Sequence, residues 1–369
     1  MLKNFTDSVT FKRGLTLKNR LFMAPMTTKM SFYDGVITTD EANYYGLRSG
    51  GVGAVITAAA NVQEDGKGWE GELGVYDDRQ IPGLSSLASS IKKNGTKAIL
   101  QIFHAGRMTD SQILRGTQPI SASSIAAERP DAEIPREMTE SDILHLIDSF
   151  KKATIRAIKA GFDGVEIHGA NTYVIQQFFS PHSNRRKDEW GGTLEKRYHF
   201  IDTIVDEIID TVDQSEVENF IIGYRFSPEE FENPGIKFED TLFLIDKLSN
   251  KGLDYLHISL NDYNRKSVSP SYQDKSMLEY VYQKINNRVP LIGIGDVRTS
   301  KDVKNVLENA DFVAVGRSMI IDPHWAQKIL DNREPLIRTS LSMYDREELF
   351  IQDGLTEFLE FMMPERLKE

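Results

Sequence analysis

The stretch GFDGVEIHGANTYVIQQFFSP, residues 161–181, decides how the chain is read. A short apolar run, 162–169, ends at His168 and Gly169 and is followed at once by Asn171 and Tyr173. An imidazole, a carboxamide and a phenol at the end of a buried strand can grip something planar and electron-rich, or they can form an ordinary loop. The residues before the run, SDILHLIDSFKKATIRAIKAG (141–161), place Ile143, Leu146, Ile147, Phe150, Ala153, Thr154 and Ala157 at three- and four-residue spacing. That stripe predicts an amphipathic helix. Thr139, with Asp142 three residues on, supplies a capping start, and Gly161 a stop. A helix feeding a strand of nearly continuous apolar character is the repeating unit of a parallel sheet covered on both faces.

The same alternation runs outward in both directions. Candidate strands are RLFMAPM (20–26), GAVITAAA (53–60), KAILQIFH (97–104), FDGVEIHG (162–169), FIIGYRFS (220–227), LDYLHISL (253–260), PLIGIG (290–295) and DFVAVG (311–316). Further helical patterns cover 193–212, 239–251, 275–287, 300–309 and 323–331. Eight strands alternating with helices predict a closed (β/α)₈ TIM barrel. The open doubly wound alternative calls for fewer strands and a glycine-rich first turn, whereas the first strand here runs into APMTTK. The chain therefore reads as one domain over 1–369. It has a Ser-, Pro- and Arg-rich rim excursion at 105–138 after the third strand and a C-terminal extension at 331–369. Apolar residues such as Leu349, Leu355, Phe358 and Leu359 imply that the extension packs on the barrel or on a partner subunit.

Composition narrows the chemistry. Hydrophobic residues make up 40% of the chain, enough for a sizeable core, and the net charge of -11 argues against a nucleic-acid partner. There is no cysteine, which removes disulfides, thiolate nucleophiles and cysteine-held iron–sulfur or zinc centres. No stretch reads as a secretory leader or a membrane span, so a cytoplasmic location is expected.

A barrel places its chemistry at the C-terminal strand ends. Those ends carry Pro25, Met26 and Thr27; Ala59; Gln101 and His104; His168, Asn171 and Tyr173; Arg225; His257 and Ser259; Gly295; and Gly316 with Arg317. The glycine-bearing loops after strands seven and eight suit a phosphate, with backbone N–H groups and Arg317 as donors. The remaining amide, guanidinium and imidazole groups match a flavin ring. Gln101 can pair with its pyrimidine half, and Arg225 can oppose the charge that develops at its N1–O2 edge. His168 and Asn171 can hold the oxygen of a bound carbonyl, and Tyr173 can supply a proton. No metal site is expected. No glycine fingerprint for a bound nicotinamide is present, so NADH or NADPH should come and go as a substrate.

At these residues the chain resembles the old yellow enzyme family of FMN-dependent ene-reductases, in its bacterial NADH:flavin oxidoreductase branch. The resemblance is carried by LKNRLFMAPMTT (17–28), LQIFHAGR (100–107), GFDGVEIHGANTYVIQQFFSPHSNRRKDEWGG (161–192), YRFSPEE (224–230), PLIGIGDVRT (290–299) and ADFVAVGRSMIIDPHW (310–325). It implies bound FMN, held by Pro25, Met26, Thr27, Ala59, Gln101, Arg225, Gly295, Gly316 and Arg317. It also implies a catalytic set of His168, Asn171 and Tyr173. Turnover is then ping-pong, from NADH or NADPH to FMN and on to an activated alkene such as an α,β-unsaturated carbonyl. A homodimer or homotetramer is the expected assembly.

Thr27 stands where many relatives carry cysteine, which implies an altered flavin potential. Phe32 and Tyr33 are the candidates for an aromatic that lines the substrate pocket. Larger relatives of the dienoyl-CoA reductase and trimethylamine dehydrogenase types add an iron–sulfur cluster and further domains, for which this chain has neither the cysteines nor the length. Electrons are therefore expected directly from a diffusing nicotinamide. Three other readings stay open. A hydroxy-acid-oxidising FMN barrel would favour a different substrate, and a metal-dependent aldolase or isomerase using His104, His168 and His257 would be colourless. A non-catalytic FMN carrier would not bleach with NADH.

Overall fold

The computed structural model describes residues 3–368. Eight parallel strands close on themselves: β1 (Leu21–Met23), β2 (Ala54–Asn61), β3 (Lys97–Phe103), β4 (Gly164–Gly169), β5 (Ile221–Phe226), β6 (Tyr255–Ile258), β7 (Leu291–Gly293) and β8 (Phe312–Val315). Closure is made by β8 pairing with β1, Val315 opposite Met23. The TIM barrel read from the sequence is the fold, and each strand lies inside its expected stretch except β2, which runs one residue beyond it to Asn61.

Side-chain alternation fills the cylinder. Phe22, Ala24, Ala54, Ile56, Ile99, Ile221, Tyr255, Ile292, Phe312 and Ala314 form the inner apolar cluster. A hairpin of Val9–Thr10 and Thr16–Leu17 presses Phe11, Leu15 and Leu17 against that cluster. The alternate residues, such as Leu21, Met23, Leu100, Val165, Ile222 and Leu256, face the helices. Both faces are apolar, so the period-two pattern is hidden in the one-dimensional sequence. It surfaces only near the strand ends, where Ile99 gives way to Gln101, and Ile221 to Gly223 and Arg225.

The surrounding helices are α1 (Thr39–Arg48), α2 (Ile81–Lys92), α3 (Glu140–Lys159), α4 (Leu194–Gln214), α5 (Phe238–Leu248), α6 (Met277–Ile285), α7 (Ser300–Glu308) and α8 (Trp325–Leu330). Thr139 and Asp142 form the expected reciprocal cap on α3, and Gly161, with φ of 82°, follows its end. The helices α1 and α2 were not marked by the sequence reading. The first is mostly polar. The second, IPGLSSLASSIK, is poor in strong helix formers and owes its helicity to burying Leu84, Leu87, Ala88 and Ile91 on one stripe.

Two buried ionisable side chains fasten the first helix. Arg48 is fully buried on α1 and has no carboxylate partner. Its guanidinium donates to the carbonyls of Tyr44, Met319, Ile320 and Leu349 at 3.0–3.1 Å and lies 3.6 Å from the Tyr44 ring centroid. One side chain thus binds α1 to the short helix Arg317–Ile321 that follows β8 and to the C-terminal extension. Glu41 is likewise buried and accepts from Thr28 Oγ1 at 2.6 Å and Ser31 Oγ at 2.5 Å, which anchors the loop after β1. A final helix, α9 (Asp353–Met362), and a short strand, Leu367–Lys368, paired with Leu341–Ser342, complete the extension.

Replacing Arg48 by Met keeps the bulk but strands those four carbonyls. The expected loss is about 3 kcal/mol or more, read as a lower denaturation midpoint together with faster proteolysis of the extension. Burial raises the Glu41 carboxyl from 4.5 to about 7. The folded protein therefore keeps a proton that the unfolded chain releases. The contribution of this group is full below pH 4.5 and lost as pH rises through 7. Denaturation of the wild type between pH 5 and 7 should include a downward slope of up to about 1.4 kcal/mol per pH unit that Glu41→Gln removes.

Candidate active site

A cavity of about 300 Å³ lies at the C-terminal mouth of the barrel, lined by Pro25, Met26, Thr27, Ala59, Gln101, His168, Asn171, Tyr173, Arg225 and Arg317. Residues that are hundreds of positions apart meet there because neighbouring strands hold them in register. Gln101 pairs with Glu166, and Arg225 with both His168 and His257. Gly295 and Gly316 do not line this cavity. They shape the loops after β7 and β8.

Gly295 has φ of 135°, and a Cβ there would lie 2.4 Å from the Tyr263 amide nitrogen, so only glycine fits. Gly316 heads the short helix Arg317–Ile321, where a Cβ would press to 3.1 Å from Met26 Sδ. Between the two loops Asp296 Oδ1 draws three guanidinium groups: Arg298 at 2.9 Å, and Arg317 and Arg366 each at 3.3 Å. With Glu365 also 3.9 Å from Arg366, three cations still outnumber the two carboxylates, and the excess of positive charge at this end fits a phosphate.

Tyr173 is aimed by its turn. Asn171 and Thr172 both adopt left-handed backbone, with φ of 56° and 64°. Such residues cost about 1–2 kcal/mol each, and the turn is held by compensating bonds. The Asn171 amide donates to Ser227 Oγ at 2.9 Å and the Thr172 amide to Gln176 Oε1 at 3.0 Å. Gln177 uses its whole amide. Its Nε2 donates to the carbonyls of Thr172 and Ala105, and its Oε1 accepts from the Arg107 amide and Ser121 Oγ. The Tyr173 turn is thereby bolted to the excursion at 105–138. The phenol ring lands edge-on to His168, 5.0 Å between centroids, and to Phe103 at 4.9 Å.

The electrostatics follow from burial. His168 is held well below the ordinary histidine value by desolvation, and next by the positive charge of Arg225, so its imidazole is neutral. Burial, and then the nearby Glu72 carboxyl, raise the Tyr173 phenol, which stays protonated. Arg225 donates through Nη2 to Ser259 Oγ at 3.1 Å, and that hydroxyl also receives Asn171 Nδ2 at 3.1 Å. Arg225 Nε and His168 Nδ1 are buried without a protein partner. A polar ligand that accepts from Arg225 Nε and bonds the His168 ring would satisfy groups placed in this way. Small Ala59 leaves space beside them. These features, with the cationic end around Arg317, fit FMN.

Several lining groups escaped the sequence reading. The extension supplies Phe358, Leu359, Met362 and Met363, so it packs on the barrel and walls the cavity. Trp69 lines it too, 6.2 Å from Tyr173. Neither Phe32 nor Tyr33 reaches it. Both are exposed, and Tyr33 borders a separate polar cavity of about 690 Å³. An aromatic beyond the first strand was the expected signal, but Phe32 and Tyr33 are exposed, and Trp69, from the loop after β2, is an aromatic in the cavity wall. Among the described residues no group of three or more His, Asp or Glu is arranged to hold a metal, and no helix is long and apolar enough to cross a membrane.

Comparison with known proteins agrees with this architecture. Residues 7–335 match the NADH:flavin oxidoreductase / NADH oxidase family. The chain is 45% identical over its whole length to the NADH:acrylate oxidoreductase of Vibrio harveyi, and 42% identical over 95% of its length to the NADH:fumarate oxidoreductase of Klebsiella pneumoniae. It spans only 37% and 38% of those two longer proteins. With the probable NADH-dependent flavin oxidoreductase YqiG of Bacillus subtilis it shares 41% identity over 96% of this chain and 95% of that one. The solved structure of the old yellow enzyme homologue from Zymomonas mobilis superposes with a TM-score of 0.80 at 25% identity, covering 96% of this chain and 99% of the other. The chain belongs to the NADH:flavin oxidoreductase / NADH oxidase family, the FMN-dependent barrels of the old yellow enzyme type.

Proposed function

We propose that this chain oxidises NADH or NADPH and reduces an activated alkene, such as an α,β-unsaturated carbonyl, in two alternating half-reactions. The observation that carries the reading is the meeting of His168, Asn171 and Tyr173 in one cavity with Pro25, Met26, Thr27, Ala59, Gln101 and Arg225. When bound, FMN supplies acceptance of a hydride from the nicotinamide and its delivery to the second substrate.

The protein's part is to bind, orient and protonate. Gln101 and Arg225 hold the polar edge of the ring, and Arg225 keeps positive charge there because a guanidinium does not titrate away. Arg317, with the loops that Gly295 and Gly316 shape, holds the phosphate. Neutral His168 and the Asn171 carboxamide grip the substrate oxygen, which draws electron density from the conjugated double bond. Tyr173 holds a proton on its hydroxyl beside them and gives it to the carbon that becomes nucleophilic. Nicotinamide and acceptor use this one cavity of about 300 Å³ in turn. The acceptor named for the Vibrio relative, acrylate, is itself an activated alkene. A cytoplasmic homo-oligomer is part of the same proposal.

A second reading is favoured by the 37% span of that relative. In it, this chain only takes electrons from the nicotinamide, and another redox unit reduces the acceptor. One experiment separates the two. The purified protein should be yellow, bleach anaerobically with NADH or NADPH, and recover colour on addition of 2-cyclohexen-1-one or acrylate. Bleaching without recovery supports the second reading, and a colourless protein that takes up no FMN refutes both. Tyr173→Phe should slow the recovery about a hundredfold and leave bleaching near the wild-type rate. Equal losses in the two phases, followed by stopped-flow absorbance, would remove the phenol from its role.

A further inference from the structure

Glu166 stands one pleat below His168 on the inner face of β4 and has no exposed surface. Its ordinary reading is half of a core ion pair with His257. Three observations go further. The two carboxylate oxygens serve different partners: Oε1 accepts from Gln101 Nε2 at 2.7 Å, and Oε2 meets His257 Nδ1 at 2.9 Å. A carboxylate can only accept. Gln101 must therefore turn its amino group inward to Glu166, which leaves its carbonyl oxygen for the cavity it lines. That oxygen takes no hydrogen bond from the described residues.

The second observation is charge. His168 is neutral, and burial together with Arg225 also keeps His257 below the ordinary histidine value. Burial alone would raise Glu166, but the hydrogen bonds that it accepts from His257 and Gln101, with the positive charge of Arg225, bring it below the ordinary carboxylate value, so it stays ionised beside a neutral imidazole. Glu166 and Arg225 are then the opposed formal charges of the inner site. They make no direct ion pair, since Arg225 bonds Ser259 and its Nε has no partner. Glu166 thus tempers the guanidinium through space. The third observation is confinement. Glu166 lies opposite Gly223, where a Cβ would come within 2.0 Å of the Tyr255 ring. The missing side chain admits that ring, which walls the carboxylate from water.

We infer that Glu166 is a positioning residue of the flavin site: it turns the acceptor end of Gln101 to the cavity and sets how much Arg225 charge a bound ring feels. The inference rests on the assignment of Gln101 and Arg225 to FMN made above. It yields two separable effects. Losing the negative charge leaves Arg225 unopposed and favours the reduced, anionic ring, so the midpoint potential rises. Losing the fixed acceptor frees Gln101 to rotate, so FMN binds less tightly.

The test is FMN titration into apoprotein, followed by flavin fluorescence, together with the midpoint potential of the loaded protein. Glu166→Gln should raise the dissociation constant at least fivefold. It should also shift the reduction equilibrium about tenfold toward the reduced form, roughly 30 mV for two electrons. Glu166→Asp keeps the charge but shortens the reach. It should weaken binding with the potential unchanged, and it serves alone if the Gln variant does not fold. A purely structural role would lower the melting temperature of both variants without raising either potential, and that result overturns the inference. So does wild-type affinity and potential in the Gln variant. Failure of the wild-type apoprotein to take up FMN would instead remove the flavin assignment on which it rests.

Discussion

A buried carboxylate at the fourth strand organises the mouth of this barrel. Taking Glu166 out of water is expensive, and the cost is met only because Gln101, His257 and Arg225 converge on it from β3, β6 and β5. The two bonded partners, Gln101 and His257, are consequently held to one orientation. The same arrangement explains why two histidines in the site are neutral: a buried imidazole next to a guanidinium is costly to protonate. Neutral His168 keeps one ring N–H to donate to a ligand and adds no charge to compete with Arg225 for its polar edge.

Around this rigid centre the functional loops are held by single side chains that use all their bonding capacity. Gln177 joins the Tyr173 turn to the excursion after β3, and Arg48 joins α1, the helix after β8 and the extension. Precision at the phenol is therefore maintained from a distance. The two left-handed residues before Tyr173 are tolerable because their amides are bonded, and the strain is confined to the place where the ring must turn back toward His168. The end around Asp296, where a phosphate is proposed to sit, works differently. There an excess of guanidinium over carboxylate around Asp296 provides attraction without tight geometry, and Arg366 brings the extension into the same cluster.

The barrel was legible in advance because strands covered on both faces write themselves as apolar runs between amphipathic helices. The strand-end residues were legible because the fold converts eight separate positions into neighbours. The α1 and α2 helices were missed where burial overrode weak propensity. The pocket wall from Phe358 to Met363 was missed because nothing in an apolar tail says which surface it will cover. Glu166 lay in plain view inside the motif, but its spacing gave no sign that it would orient Gln101.

The amino-acid order by itself determined the class of fold, the exclusion of thiol chemistry, and the set of polar groups available at the mouth of the barrel. Only the tertiary structure decided which of them touch, which way each amide points and which charges are opposed. Periodicity is a property of neighbours along the chain, and it carries local conformation. Hydrogen-bond direction and electrostatic balance depend on distances across the barrel, and those exist only once the eighth strand has paired with the first.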